Sequence, residues 1–203
     1  INISQAEPAR DVLGIRLRPA GYALLRHVEK ACGRSLVARR ATLSSNMAEG
    51  GITSDGAPVI EISPGVVVTE ELLVHELSHM ELQIEGFPKL SFSGPSEVTS
   101  DDTLLAWLRS NVFDVIQHRI FYPRLRHLGY APDAARIDEI KLIMARGDFT
   151  GNLSTVDLAS KYFRFAMEIA SHEVISSVAK WYRRRGWSSA LALANDAYSR
   201  VQT

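Results

Sequence analysis

Val74-His75-Glu76-Leu77-Ser78-His79-Met80 is the stretch on which the reading of this chain turns. Two imidazoles four residues apart lie one above the other on a single helix face, so both rings can converge on one cation. Glu76 points about 100° further round the axis. From there it can reach the outer side of such an ion, where a water would sit, without being a ligand. Leu72, Leu73, Val74, Leu77 and Met80 predict a buried helix, and two histidines in a core without partners would be costly. The residue types and their spacing therefore point to a zinc ion and an activated water.

Working outward, Thr69 is the expected N-cap of this helix, with Glu70 and Glu71 in its positive first turn, and Gly86-Phe87-Pro88 ends it. Leu73, Leu77, Met80 and Ile84 form one stripe. His75 and His79 share another with Leu72 and Leu82, and are expected to face into the protein. Upstream, Pro58 to Ser63 reads as a strand whose proline favours a sheet edge, and such an edge could accept an extended peptide as an added strand. Before it come a short strand and tight turn over Gly50 to Ala57, a strand over Ser35 to Arg40, and a helix from Pro19 to about Ala31 stopped by Gly33. Residues 1–17 read as an irregular or partly ordered lead-in.

Downstream, residues 89–100 form a Ser-, Pro- and Gly-rich connector, followed by a helix from about Asp102 to Tyr122 that Pro123 stops or kinks. At 100° per residue, Asn111, Asp114 and His118 share an apolar stripe with Leu104, Trp107, Val115 and Tyr122. Polar groups on a buried face need partners. A metal held by His75 and His79 would supply one, and an internal hydrogen-bond cluster is the other way to satisfy them. Asp133 is expected to cap a helix to about Ala145. Ser154 to about Arg183 reads as one or two helices, and Ser188 starts a last one to Tyr198. Lys180, Arg183, Arg184 and Arg185 read as a solvated helix end.

The 203 residues suffice for one well-filled core. Lys plus Arg and Asp plus Glu each number 23, so no global field attracts nucleic acid, and no nucleic-acid partner is expected. No apolar run reaches the ~18 residues of a membrane span. The single cysteine, Cys32, cannot form an internal disulfide and is expected to be a small core residue. With no signal pattern at the start, a cytoplasmic location is expected, a removed leader being the alternative.

A catalytic zinc takes three protein ligands and keeps an open position. A metzincin continuation would place Gly at position 82 and His at position 85, where this chain has Leu82 and Glu85. The third ligand is therefore sought on the later helix. Asp114 is the first choice, completing two histidines and an acid. His118 is the second, and it could instead bind substrate or the developing oxyanion. Glu97, Asp101 and Asp102 are further candidates. Arg119, Tyr162 and His172 are the other possible oxyanion donors.

Over residues 58–122 the sequence resembles the zincin metallopeptidases, carrying His75-Glu76-Leu77-Ser78-His79 on a helix after an edge-like strand, with an acid on a later helix. It looks most like the small gluzincin-like or ImmA/IrrE-like domains, although Asp114 stands where Glu is commoner. The resemblance implies that His75 and His79 are ligands and that Glu76 is the general base for hydrolysis of peptide bonds by a zinc-bound water. The expectation is one α+β, zincin-like domain over 1–203. It comprises the lead-in, a small mixed sheet over the motif helix with the metal site (18–125), and a helical extension (126–203) that resembles nothing named. The rival expectation is a catalytically silent, metal-stabilised regulatory or protein-binding module.

Overall fold

The computed structural model describes residues 11–43, 48–87, 100–147, 149 and 151–201, with the backbone alone for 100–112 and 201. The chain is α+β and mostly helical. It divides into two compact units, Ile1–Lys89 and Leu90–Thr203. No helix among the described residues is long and apolar enough to cross a membrane.

The first unit has a hairpin, β1 (Asp11–Val12) with β2 (Ile15–Arg16), within the stretch expected to be an irregular or partly ordered lead-in. Its two-residue turn has positive φ at both positions, 53° at Leu13 and 82° at Gly14, which matches the twist of the flanking strands. Leucine there, in place of the Asn or Asp that tolerates this conformation, hides the signal. Helix α1 (Pro19–Cys32) has Pro19 in its first turn and Gly33 at its end, as its sequence predicts. Cys32 at its end is half-buried rather than a core residue, and burial pushes its thiol pKa up. Buried Glu29 accepts a 2.8 Å hydrogen bond from the Leu36 amide, fastening the turn into the sheet.

That sheet has strands β3 (Val37–Arg40), β4 (Ala48–Ile52) and β5 (Pro58–Ile62) in the order β3-β5-β4. β3 and β5 run parallel and β4 is antiparallel to β5, so the sheet is small and mixed. The edge expected at Pro58 is a correction: β5 is the central strand. Proline is accommodated because it is the first residue of the strand, opposite Ile52 beside the turn of the hairpin. Alternation along β5 then buries Ile60 and Ile62 completely. Helix α2 (Glu70–Ile84) packs on α1 and β4, and Leu73, Val74, Leu77 and Met80 have no exposed surface. Thr69 Oγ1 accepts from the Leu72 amide at 3.2 Å, and the Phe87 amide closes the far end on the Leu82 carbonyl. Arg18 ties the start of α1 to Glu70 through its own amide and its Nε.

The second unit is helical: α3 (Ser100–His127), α4 (Ala134–Arg146), α5 (Thr155–Glu168), α6 (His172–Arg184) and α7 (Ser188–Val201). Pro123, expected to stop or kink α3, does not stop it. It lies on the exposed face, where carbonyls freed from the helix ladder can turn to water. Asp133 precedes α4 but makes no cap bond to it; its carboxylate takes the Ala170 amide and Arg126 instead, both at 3.1 Å. Ser154 and Asp157 form a reciprocal capping box that starts α5. The apolar faces of α4 to α7 enclose Ile140, Phe149, Leu158, Phe165, Tyr182 and Leu191. Tyr182 at its centre donates to the Leu158 carbonyl at 3.0 Å, and burial drives its phenol pKa far up.

Candidate metal centre

Helix α2 brings His75 and His79 together as its periodicity requires: their Nε2 atoms are 3.2 Å apart. Two imidazoles on a tetrahedral zinc at ~2.0–2.1 Å would have their nitrogens ~3.3 Å apart, so the pair already has the bite of a chelate. Both rings are half-buried, not enclosed as the sequence suggests, which leaves the pair an approach from solvent. Glu76 departs further from expectation. It is 7% exposed and lies under β4 rather than on an open flank. A Cβ built on Gly50 would come within 2.8 Å of the Glu76 Cβ and its carbonyl oxygen and 3.0 Å of its Oε2. Gly50 therefore permits the strand to lie directly on the motif helix at its acid. Gln83, two turns on, reinforces the contact by accepting from the Ile52 amide at 3.2 Å.

The second unit contains its own group, Asp114, His118 and Glu168, whose ligand atoms lie within 4.8 Å of one another and could hold a metal ion. His118 on α3 is 2% exposed. Its Nδ1 is 2.8 Å from Glu168 Oε1, its Nε2 3.2 Å from Asp114 Oδ1, and its ring stacks on Tyr122 with centroids 4.7 Å apart. An ionised carboxylate can only accept, so Nδ1 carries the proton of the first contact. Burial pulls the His118 pKa down, but the two carboxylates outweigh it and leave the pKa raised. Burial likewise pushes Glu168 up, and His118, Arg164 and Arg136 overcome it and hold its carboxyl below the usual range. Burial drives the Tyr122 phenol pKa far up.

Asp114 and His118 thus share a face of α3, as the stripe predicts, but they are not equivalent. The Asp114 side chain is 34% exposed and bound at 2.7 Å by Arg164, so it is neither deeply buried nor lacking a cation. Of the other sequence candidates, the Asn111, Asp101 and Asp102 side chains and all of Glu97 lie outside the described residues. Tyr162 packs within the aromatic core of its unit, 5.3 Å from Tyr182, and offers no open oxyanion donor. His172 and Arg119 are exposed, with His172 at the first position of α6. A cavity of about 50 Å³ beside His118, lined also by Arg119, Tyr122, Arg126 and Glu168, has room for a few waters and none for a peptide.

Sequence reasoning missed Glu168, Arg136 and Arg164. One signal was available: Glu168 interrupts the apolar run Phe165-Ala166-Met167-Glu168-Ile169-Ala170, and Arg164 precedes it by one helical turn. The Gly50-Gly51 pair inside a strand was likewise a sign of close backbone approach. No protein-family model, curated protein or solved structure matches the chain, so its chemistry is read from its own residues.

Proposed function

We propose that the chain is a zinc-dependent peptide hydrolase of zincin type, with His75 and His79 as two ligands and Glu76 as general base. The observation that carries the reading is the 3.2 Å separation of the two Nε2 atoms on one helix, with a carboxylate at the intervening position of the motif.

A zinc ion held there would polarise a scissile carbonyl and acidify water towards neutral pH. The work of the chain's own residues follows from their chemistry. The Glu76 carboxylate takes a proton from the attacking water and returns it to the leaving nitrogen as the C–N bond breaks. Burial under β4 shields this proton from bulk solvent. With β5 interior to the sheet, the strand that would receive an extended peptide is β4, paired on one side to β5 and lacking side chains at Gly50 and Gly51.

The burial of Glu76 also supports a second reading, a metal-stabilised protein-binding module that does not cut. Glu76→Gln separates the two. The hydrolase reading expects about one zinc per chain in both proteins and a loss of peptide turnover by ~10²–10⁴-fold in the variant. Wild-type protein that binds zinc yet turns over no member of a peptide library supports the module.

A further inference from the structure

We infer that Gln83 is a specificity-determining residue of the peptide-receiving edge: its side-chain amide stands in for a substrate peptide unit on the Ile52 amide, so an extended peptide pairs with Ala48 and Gly50 and stops short of Ile52. This rests on the reading of β4 as the strand that receives substrate, and every residue it uses belongs to the first unit.

Successive residues of an antiparallel strand turn their main-chain groups alternately towards the partner and away from it. Two hydrogen bonds set the phase along β4 and β5. The Thr53 amide donates inward to the Ala57 carbonyl at 3.0 Å, and the Ile62 carbonyl accepts from Ala41, on the β3 side, at 3.0 Å. Ala48 is paired with Ile62, Gly50 with Ile60 and Ile52 with Pro58, so Ala48, Gly50 and Ile52 turn their amides and carbonyls to the outer side of β4. The Ile52 amide is met there by Gln83 Oε1 at 3.2 Å. A carboxamide pairs an acceptor oxygen with an N–H donor, as a peptide unit does, and it takes this rung as an incoming strand would.

Helix α2 runs alongside β4 in the same sense. Glu76 packs on Gly50, and Gln83, about 10 Å further along the helix at 1.5 Å per residue, reaches Ile52. The general base therefore lies beside the open rung at Gly50, and the next rung is closed. Past Ile52 the chain leaves the strand in a turn that Thr53 Oγ1 fastens by accepting from the Ala57 amide at 3.0 Å, so the edge ends there. The substrate class that fits is a peptide held extended over the Ala48 and Gly50 rungs that ends or bends before a third.

The test is calorimetric titration of zinc-loaded wild type and Gln83→Ala with acetylated, amidated peptides of alternating alanine and valine, three, five and seven residues long. The shortest should bind both proteins alike, and the longest should bind Gln83→Ala about 2–10-fold tighter, the worth of one more hydrogen-bonded rung. Equal affinities at every length, or weaker binding of the longest peptide by the variant, overturn the inference, as does zinc-loaded protein that binds none of the peptides. A chain that follows this length rule yet cuts no peptide keeps the Gln83 stop and loses the hydrolase reading. Should Gln83→Ala not fold, amide hydrogen exchange in the wild type decides. The Ile52 amide should be protected before the seven-residue peptide is added and no more so afterwards, while the Gly50 amide gains protection; an Ile52 amide that becomes protected only with peptide overturns the inference.

Discussion

The two histidine groups of this protein are held by different physics. On α2, His75 and His79 face each other because a helix repeats every 3.6 residues, and no distant residue is needed to bring them together. Around His118, the arrangement exists only because α3, α4 and α5 converge, with carboxylates and guanidiniums alternating through a buried network. A pair made by local periodicity can lose one member at little cost to folding. A network of buried charges cannot, since every member removed leaves an opposite charge without compensation.

The contrast yields graded expectations. His75→Ala or His79→Ala should abolish stoichiometric zinc binding while the metal-free melting temperature moves by no more than a few degrees, as expected for half-buried positions. Metal analysis and calorimetry together check this, and a collapse of the fold would place the pair in the same class as the network. Glu168→Ala should behave in the opposite way. It leaves Arg136 and Arg164 facing a void, and chemical denaturation should show a loss of about 3–5 kcal/mol; a loss below 1 kcal/mol would mean that the network relaxes easily.

Gly50→Ala probes the packing over the acid. The added methyl would meet the Glu76 Cβ and main-chain oxygen at 2.8 Å, neither of which can swing aside, so strand and helix must separate at a cost of about 1–3 kcal/mol. Stability equal to wild type would show that β4 does not need this close approach. The smallest effect is expected at the α5 cap. Ser154→Ala should lose about 1 kcal/mol. Hydrogen bonds from the Ser154 hydroxyl and amide hold the Asp157 carboxyl below its usual range. A lowered folded pKa gives stability that is present above the unfolded value of about 3.9 and disappears as pH falls through the folded one. The wild-type advantage over Ser154→Ala should therefore shrink below about pH 4 in paired denaturation curves.

What could be read in the sequence follows the same division. The motif helix, its Thr69 cap and its Gly86 stop are local patterns, and they stand as expected. So does the buried stripe of α3 at Val115, His118 and Tyr122. Errors arose where a residue has two structural uses. Pro58 signals an edge or a strand start, and only the pairing of both neighbours decides for the start. Pro123 signals a stop or a kink, and its exposed position rules out the stop by letting the helix run on to His127. Asp133 has the chemistry of a cap and spends it on α3 and the α5–α6 turn. The acid in the apolar run at Glu168 could have been noticed, but its pairing with His118 across 50 residues is made by helix packing, which no periodicity encodes.

X-ray absorption at the zinc K edge of the loaded wild-type protein addresses the central claim most directly. Two imidazole nitrogens at ~2.0–2.1 Å, from His75 and His79, with further light ligands completing the shell, are predicted. A zinc shell that lacks the two imidazoles, or a protein that retains no zinc at all, would contradict the account.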